Sequence, residues 1–397
     1  MKKNTFIVLL LIWGFQVLGQ NKQSISELLD LAYQNNFGLK AAALAVDQKK
    51  ALIKGAFDMD KTSVYYSYDQ NNLAINNVPI RVFGIAQDFK FPTVYGSEKK
   101  VKSAELEIEK TNYDILKEQL KEEVYAAYYE LSFQKNRRTI LEHLDSLYKN
   151  STSFFEANYK LGEIDYLEYL KIKSERRKVI MQYQQAVQEV QMATQKLENL
   201  VQIKNLSTVD EPLERLFLKE KSLSNNISLK YAKKMESLYD NMTKKEANEL
   251  LPDISLEYFQ GTNNQLNSNL IGYQIGLKIP LFFGGKSSKI KASKIAKNSF
   301  LAKQEDLKIH LNQRHQELLS NLKQITNALD YYEEDGNALQ SEIRKTARKK
   351  YEQGEINYLE FIENLKVASQ IQLDYLTDLN AYNQTIIKIN HLTLKSF

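Results

Sequence analysis

The feature that most constrains this chain is that it is written twice. The segment Tyr159-Lys-Leu-Gly162-Glu163-Ile164-Asp-Tyr166-Leu167-Glu168-Tyr-Leu returns as Tyr351-Glu-Gln-Gly354-Glu355-Ile356-Asn-Tyr358-Leu359-Glu360-Phe-Ile, 192 residues later, with seven of twelve positions identical. Upstream, Pro92-Thr-Val-Tyr95-Gly96 matches Pro280-Leu-Phe-Phe283-Gly284 at an offset of 188. Two motifs repeat in the same order at about half the length, which predicts a tandem duplication. The joint falls near Asn205 to Asn226, around Pro212.

Each half contains the same predicted elements. A helical stretch opens it, Ser26 to Ala56 with Ser26 as its cap, and Ile227 to Leu250. Two alternating segments follow, Val64–Tyr68 and Phe83–Phe91 in the first half, Ile254–Tyr258 and Tyr273–Ile279 in the second. A period of two puts the large residues on one face and Asp88, Lys90, Gln274 and Lys278 on the other. Pro92 and Pro280 end the second strand of each pair, since neither donates to a ladder. Asn71–Pro79 and Gly261–Asn269 read as turns.

A very long helix follows in each half. No other proline occurs between Pro92 and Pro212, nor after Pro280, and Tyr113, Leu116, Leu120, Val124, Ala127 and Leu131 form an apolar stripe. Ser97 to Tyr159 spans roughly 95 Å at 1.5 Å per residue. That length belongs to coiled coils, with glycine in Tyr-x-x-Gly as the helix end and reversal.

Composition narrows the function. With no cysteine, the chain has no disulfides, thiolate metal sites or cysteine nucleophiles. Of the 4 histidines, His310 and His315 are five apart rather than four, and are expected on the surface as no metal pair. Phe283-Gly284-Gly285-Lys286-Ser287 imitates a phosphate loop, but the required first glycine is Pro280. No carboxylate pair sits in a catalytic setting, so no enzyme, cofactor or metal is expected. Met1-Lys2-Lys3, the apolar run Phe6–Trp13, and Val17 and Gly19 read as a secretory signal removed after Gly19. Its loss takes the formal charge from +5 to +3, too mild for a nucleic-acid partner. The terminal Phe397 is read as coincidence, since it follows a helix.

Four alternating strands flanked by helices too long for a compact core suit a transmembrane barrel with a polar lumen. Four strands cannot close one alone, and an open edge is forbidden in lipid. The chain is therefore expected to oligomerise, three copies giving twelve strands.

With these features the sequence resembles the TolC-like outer-membrane efflux proteins. The resemblance rests on the duplicated layout, the Pro280-Leu-Phe-Phe-Gly284-Gly285 corner, and the Tyr-x-x-Gly motifs at Tyr159 and Tyr351. It implies a mainly α protomer whose four strands join a trimeric 12-stranded outer-membrane barrel, continued by a periplasmic α-helical barrel. It implies passive conduction of substrate delivered by an inner-membrane pump through a periplasmic adaptor. The partners implied are two further copies, the adaptor, the pump and outer-membrane lipid. The adaptor-contacting tips would be Leu161, Gly162 and Glu163, with Gln353, Gly354 and Glu355. Glu360 and Glu363, three apart on one helix face, would form acidic gate rings in a trimer. The arginine that locks the tip in some members is replaced by Ile356. The stretch Gly84 to Tyr95 is similar to members serving heavy-metal cation exporters.

The expected layout is a signal at 1–19, a first repeat at 20–204, a connection at 205–226 and a second repeat at 227–397. Strands are expected near 62–70, 82–91, 253–260 and 271–280, and long helices at 97–160, 165–200, 286–350 and 357–394. Lipid-facing residues would be Phe89, Phe91, Leu277 and Ile279, and barrel-to-helix corners Pro92, Gly96, Pro280, Gly284 and Gly285. The alternative is a periplasmic coiled-coil structural or adaptor protein with a small soluble β domain.

Overall fold

The computed structural model describes residues 24–206, 212–219, 222–265 and 269–393. The expected signal with Val17 and Gly19, part of the 205–226 connection, and Phe397 lie outside them. The order is α1 (Ile25–Asn35), α2 (Phe37–Leu52), a 3-10 turn (Lys54–Phe57), β1 (Ser63–Leu73), β2 (Pro79–Phe89), α3 (Pro92–Leu161) and α4 (Tyr166–Val201). The second half gives α5 (Ile227–Asn248), β3 (Asp253–Thr262), β4 (Leu270–Lys278), α6 (Gly284–Tyr331), a π turn (Tyr332–Gly336), α7 (Asn337–Glu352) and α8 (Tyr358–Thr393). Among the described residues no helix is long and apolar enough to cross a membrane.

Three details differ from the sequence reading. The opening helix is two helices, because Asn36 takes an extended ψ of 114° and its side chain accepts from the Leu39 N–H. The residue capping α1 is Ser24, not Ser26. The Ser24 hydroxyl accepts from the Glu27 N–H, and the Glu27 carboxylate accepts from the Ser24 N–H, a capping box. The expected helix 286–350 is interrupted by the π turn, which includes Gly336.

The chain forms two compact units. One comprises the described parts of 1–35, 124–214 and 329–380. Its core is a coiled-coil seam. Ile172, Val179 and Ala186 of α4 recur every seven residues and meet Leu141, Leu144, Tyr148 and Phe155 of α3 and Ile362 of α8. An ion pair between Arg137 and Glu189 joins α3 to α4 in this unit.

The other unit comprises the described parts of 36–123, 215–328 and 381–397. It holds one antiparallel sheet of order β1-β2-β3-β4. Its helices are tied in a row by side-chain bonds. Lys49 of α2 pairs with Glu105 of α3 at 3.0 Å. Lys245 and Lys234 of α5 pair with Glu98 and Glu107 of α3 at 2.5 and 3.1 Å. Lys297 of α6 pairs with Asp240 of α5 at 2.6 Å. The helix order α2-α3-α5-α6 thus follows the strand order.

The offset change from 188 to 192 has a structural cause. Pro92 is the first residue of α3, where its missing N–H costs nothing. After β4, the chain runs through residues 279–283 without helix, and α6 opens at Gly284. The helices therefore start 192 residues apart, the same spacing as the tip glycines. The two Pro-aromatic-Gly segments are not equivalent in structure: Gly96 lies inside α3, whereas Gly284 and Gly285 open α6.

Candidate functional site

Two helical turns and one sheet carry the chemistry. Each Tyr-x-x-Gly turn is a Schellman motif. In the first, the Gly162 N–H donates to Tyr159 O at 3.0 Å and the Glu163 N–H to Asn158 O at 2.9 Å. In the second, Gly354 donates to Tyr351 O at 3.1 Å and Glu355 to Lys350 O at 2.9 Å. Gly162 and Gly354 have φ of 77° and 73°, the left-handed region that this motif requires. The next helix is capped at once in both. Asp165 accepts from the Glu168 N–H at 2.8 Å, and Asn357 from the Glu360 N–H at 2.9 Å.

A matched aromatic triad braces each turn. Tyr159 stacks on Tyr169 at 5.4 Å and 4°, with Tyr166 at 5.4 Å from Tyr159. Tyr351 stacks on Phe361 at 4.9 Å and 15°, with Tyr358 at 5.4 Å from Tyr351. All three positions repeat at 192, so the identities seen in the sequence are those of a packed unit. The surroundings differ. Leu161 and Leu167 stand exposed at the first turn, while Gln353, Glu355 and Glu360 are exposed at the second.

Glu360 and Glu363 are both exposed on α8. The Glu360 carboxylate also accepts from the Asn357 N–H at 3.3 Å, completing a capping box at the start of α8. Deeper in this unit, Lys366 of α8 pairs with Glu175 of α4 at 2.5 Å. Hydrogen bonds from Lys178 and Lys366 hold the Glu175 carboxyl below its ordinary range. Beside it, burial pushes the Tyr148 phenol up to about 12, helped by the charges of Glu175 and Glu363.

The sheet has two unlike faces. Val64, Ile85, Tyr258 and Tyr273 form one row across all four strands, and Phe89, Ile254 and Leu277 another on the same face. This face is apolar and open: Tyr273 is 81%, Ile275 71% and Leu277 63% exposed. Phe91 and Ile279 lie just past the strand ends.

The opposite face is polar and small, with rows Ser63–Ala86–Glu257–Gln274 and Tyr65–Gly84–Phe259–Gly272. Lys278 pairs with Asp88 here at 2.5 Å. In each hairpin an aromatic ring lies over a glycine, Tyr65 over Gly84 and Phe259 over Gly272, so that any Cβ would fall inside the ring. Tyr65 reaches across β2 to donate to the Glu257 carboxylate. Sequence reading missed this pairing, although a glycine on an otherwise regular strand signals a close approach.

The remaining candidates are placed as follows. Lys286 donates to the Glu249 carbonyl and so faces the protein, not a phosphate. His310 lies exposed, 3.5 Å from Asp306. His315, expected on the surface, is buried at 5% exposure, because it sits on the inward face of α6 with Leu318 and Leu322. Among the described residues no group of three or more potential ligands gathers to hold a metal ion.

Residues 218–393 match the family model described as "Outer membrane efflux protein". Among solved structures, a membrane protein from Pseudomonas aeruginosa superposes with a TM-score of 0.76 at 13% identity, covering 93% of this chain and 92% of that one. The Campylobacter jejuni CmeC outer membrane channel gives 0.74 at 14% identity, covering 93% and 85%. The open state of the Neisseria gonorrhoeae MtrE outer membrane channel gives 0.76 at 12% identity, covering 93% and 88%. No curated protein matches the sequence at a significant level. At these identities the likenesses show the fold, over nearly the whole chain. The second repeat carries the family match, and the first is built on the same plan. The second repeat therefore resembles the outer membrane efflux proteins in sequence, and nearly the whole chain shares the fold of outer membrane channels of known structure.

Proposed function

We propose that three copies of this chain assemble into one duct, served by an inner-membrane pump through a periplasmic adaptor. The observation that carries this reading is the sheet. It has an apolar outer face, a polar inner face, and edges at β1 and β4 that pair with nothing among the described residues. In lipid such edges must be closed. Three copies give a twelve-stranded barrel with the apolar rows toward lipid, Phe89 and Leu277 among them, and Tyr65, Glu257, Asp88 and Lys278 toward water. Phe91 and Ile279 then sit at the periplasmic rim of the lipid.

The adaptor meets the tips through Leu161, Gly162 and Glu163, and through Gln353, Gly354 and Glu355. Their rigid turns support this role, since the backbone is fixed by paired hydrogen bonds and braced by stacked rings. Glu360 and Glu363 line the entrance as carboxylate rings that favour cations. With Ile356 in place of an arginine, the entrance rests on other contacts, of which the Glu175–Lys366 pair is the best placed. The cargo we favour is cationic, heavy-metal ions included. A wide duct needs no metal-binding cluster to pass them.

The test is envelope fractionation of the full chain, followed by mass determination in detergent by light scattering. A trimer from the outer-membrane fraction supports the reading. A soluble periplasmic monomer or dimer overturns it and favours a coiled-coil structural role.

A further inference from the structure

The corner that follows β4 differs from the one that follows β2. In the first, α3 starts at Pro92, Val94 is buried at 4% exposure, and Tyr95 stacks on Phe57 at 5.9 Å and 10°. In the second, five residues separate β4 from α6, where two separate β2 from α3, and they present Leu281, Phe282 and Phe283 at 76%, 93% and 53% exposure. Three consecutive apolar side chains in the open are a patch that calls for a cover.

We infer that Leu281, Phe282 and Phe283 form an apolar clasp that closes over Phe57 and Met59 of a second copy of this chain. The inference rests on the trimer reading and adds the contact that seals each seam. Topology selects the occupant. All neighbouring strands are antiparallel, so β1 and β3 run one way and β2 and β4 the other. When β4 of one copy pairs with β1 of the next, that pair is antiparallel too. The end of β4 at Lys278 then lies beside the start of β1 at Ser63. The residues just after β4 therefore flank the residues just before β1.

Those residues are ready to receive it. Phe57 is 63% and Met59 59% exposed, and the stack on Tyr95 holds the Phe57 ring in place with its other face outward. The same two edges recur one layer away. In the ion-paired helix row, α2 and α6 are terminal, and α2 shows an exposed stripe of Phe37, Leu44 and Leu52. The clasp thus continues a seam that the strands begin and the helices extend.

The chain has no cysteine, so introduced pairs report without background. Full chain carrying Met59→Cys with Phe282→Cys, and separately Phe57→Cys with Leu281→Cys, is oxidised or treated with a short bismaleimide in outer-membrane vesicles. Mass in detergent is measured on the same samples. The expected result is loss of the monomer band on non-reducing gels in favour of linked dimers and trimers, with no ladder from any of the four single variants. A trimeric mass without links from either pair overturns the clasp while leaving the trimer standing. Covering of Phe282 by lipid would show in that case as quenching of a fluorophore on Phe282→Cys by brominated lipid. A monomeric mass overturns both the clasp and the trimer reading beneath it.

Discussion

Replacing Gly84 by alanine isolates the aromatic-over-glycine device. The new methyl falls inside the Tyr65 ring, so the ring must swing off β2. Overpacking of this kind costs about 1–3 kcal/mol. The swing also removes the Tyr65 hydroxyl from the Glu257 carboxylate. The lost hydrogen bond adds a smaller cost, because water can take the place of the hydroxyl at the carboxylate. Gly84→Ala therefore costs more than the packing term alone. Gly272→Ala meets Phe259, which has no hydroxyl, so only the packing cost of about 1–3 kcal/mol applies. The readout is the temperature at which the folded assembly in detergent loses its gel mobility. Gly84→Ala is expected to melt lowest, Gly272→Ala next, and Tyr65→Ser to restore much of the loss in the Gly84→Ala background. Gly96→Ala is the control: its methyl meets nothing within 4 Å, and alanine in a helix is favoured by about 0.5–1 kcal/mol. Gly84→Ala melting with the unmodified protein would refute the close-approach argument.

Four further outcomes are expected. Ile275→Arg, at the middle of β4 on the apolar face, should cost about 2–4 kcal/mol of barrel stability and Leu277→Arg, near the rim, about 0–1 kcal/mol, whereas Gln274→Arg on the opposite face should assemble; equal assembly of Ile275→Arg and Gln274→Arg would refute the assigned faces. Glu360→Gln with Glu363→Gln should weaken block of single-channel current by divalent cations, and because glutamine also completes a capping box, a change reports charge rather than a lost cap. Gly354→Ala, forced into positive φ with no clash nearby, should destabilise its turn by about 1–2 kcal/mol, visible as faster amide exchange at the start of α8. The Tyr148 phenol binds its proton more tightly folded than unfolded, so stability should fall as pH rises from about 10 toward about 12, and Tyr148→Phe should flatten that fall in alkaline melting curves.

What the sequence displayed, it displayed through repetition and period. The tips were legible because glycine, tyrosine and an acidic residue recur at one offset, and a turn needing positive φ leaves that trace. The strands were legible because one face is apolar and the other is not. The misses are local. Ser24 and Ser26 are equivalent by residue type, and only the reach of Glu27 back to Ser24 decides between them. Asn36 breaks the first helix inside a run with continuous helical pattern. The π turn at Tyr332–Gly336 adds a single residue to one helical turn, a change too local to read from apolar spacing along the chain. The contact between Tyr65 and Gly84 is a pairing across strands, which no reading along one strand reveals.

The pairing of β2 with β3 bears on the order of folding. Each hairpin closes over a short connection, but the two meet only through partners such as Arg81 with Thr262 and Phe89 with Ile254, more than 160 residues apart. Contacts that distant in sequence form late, because loop entropy must first be overcome. The helices form on local contacts and double back at their glycine turns, which shortens the effective loop before the strands need to find each other. Nascent chains should therefore pass through a stage with helices in place and two unjoined hairpins, their apolar faces uncovered in an aqueous compartment. That stage is where aggregation competes with insertion, and where a holding chaperone would have its substrate.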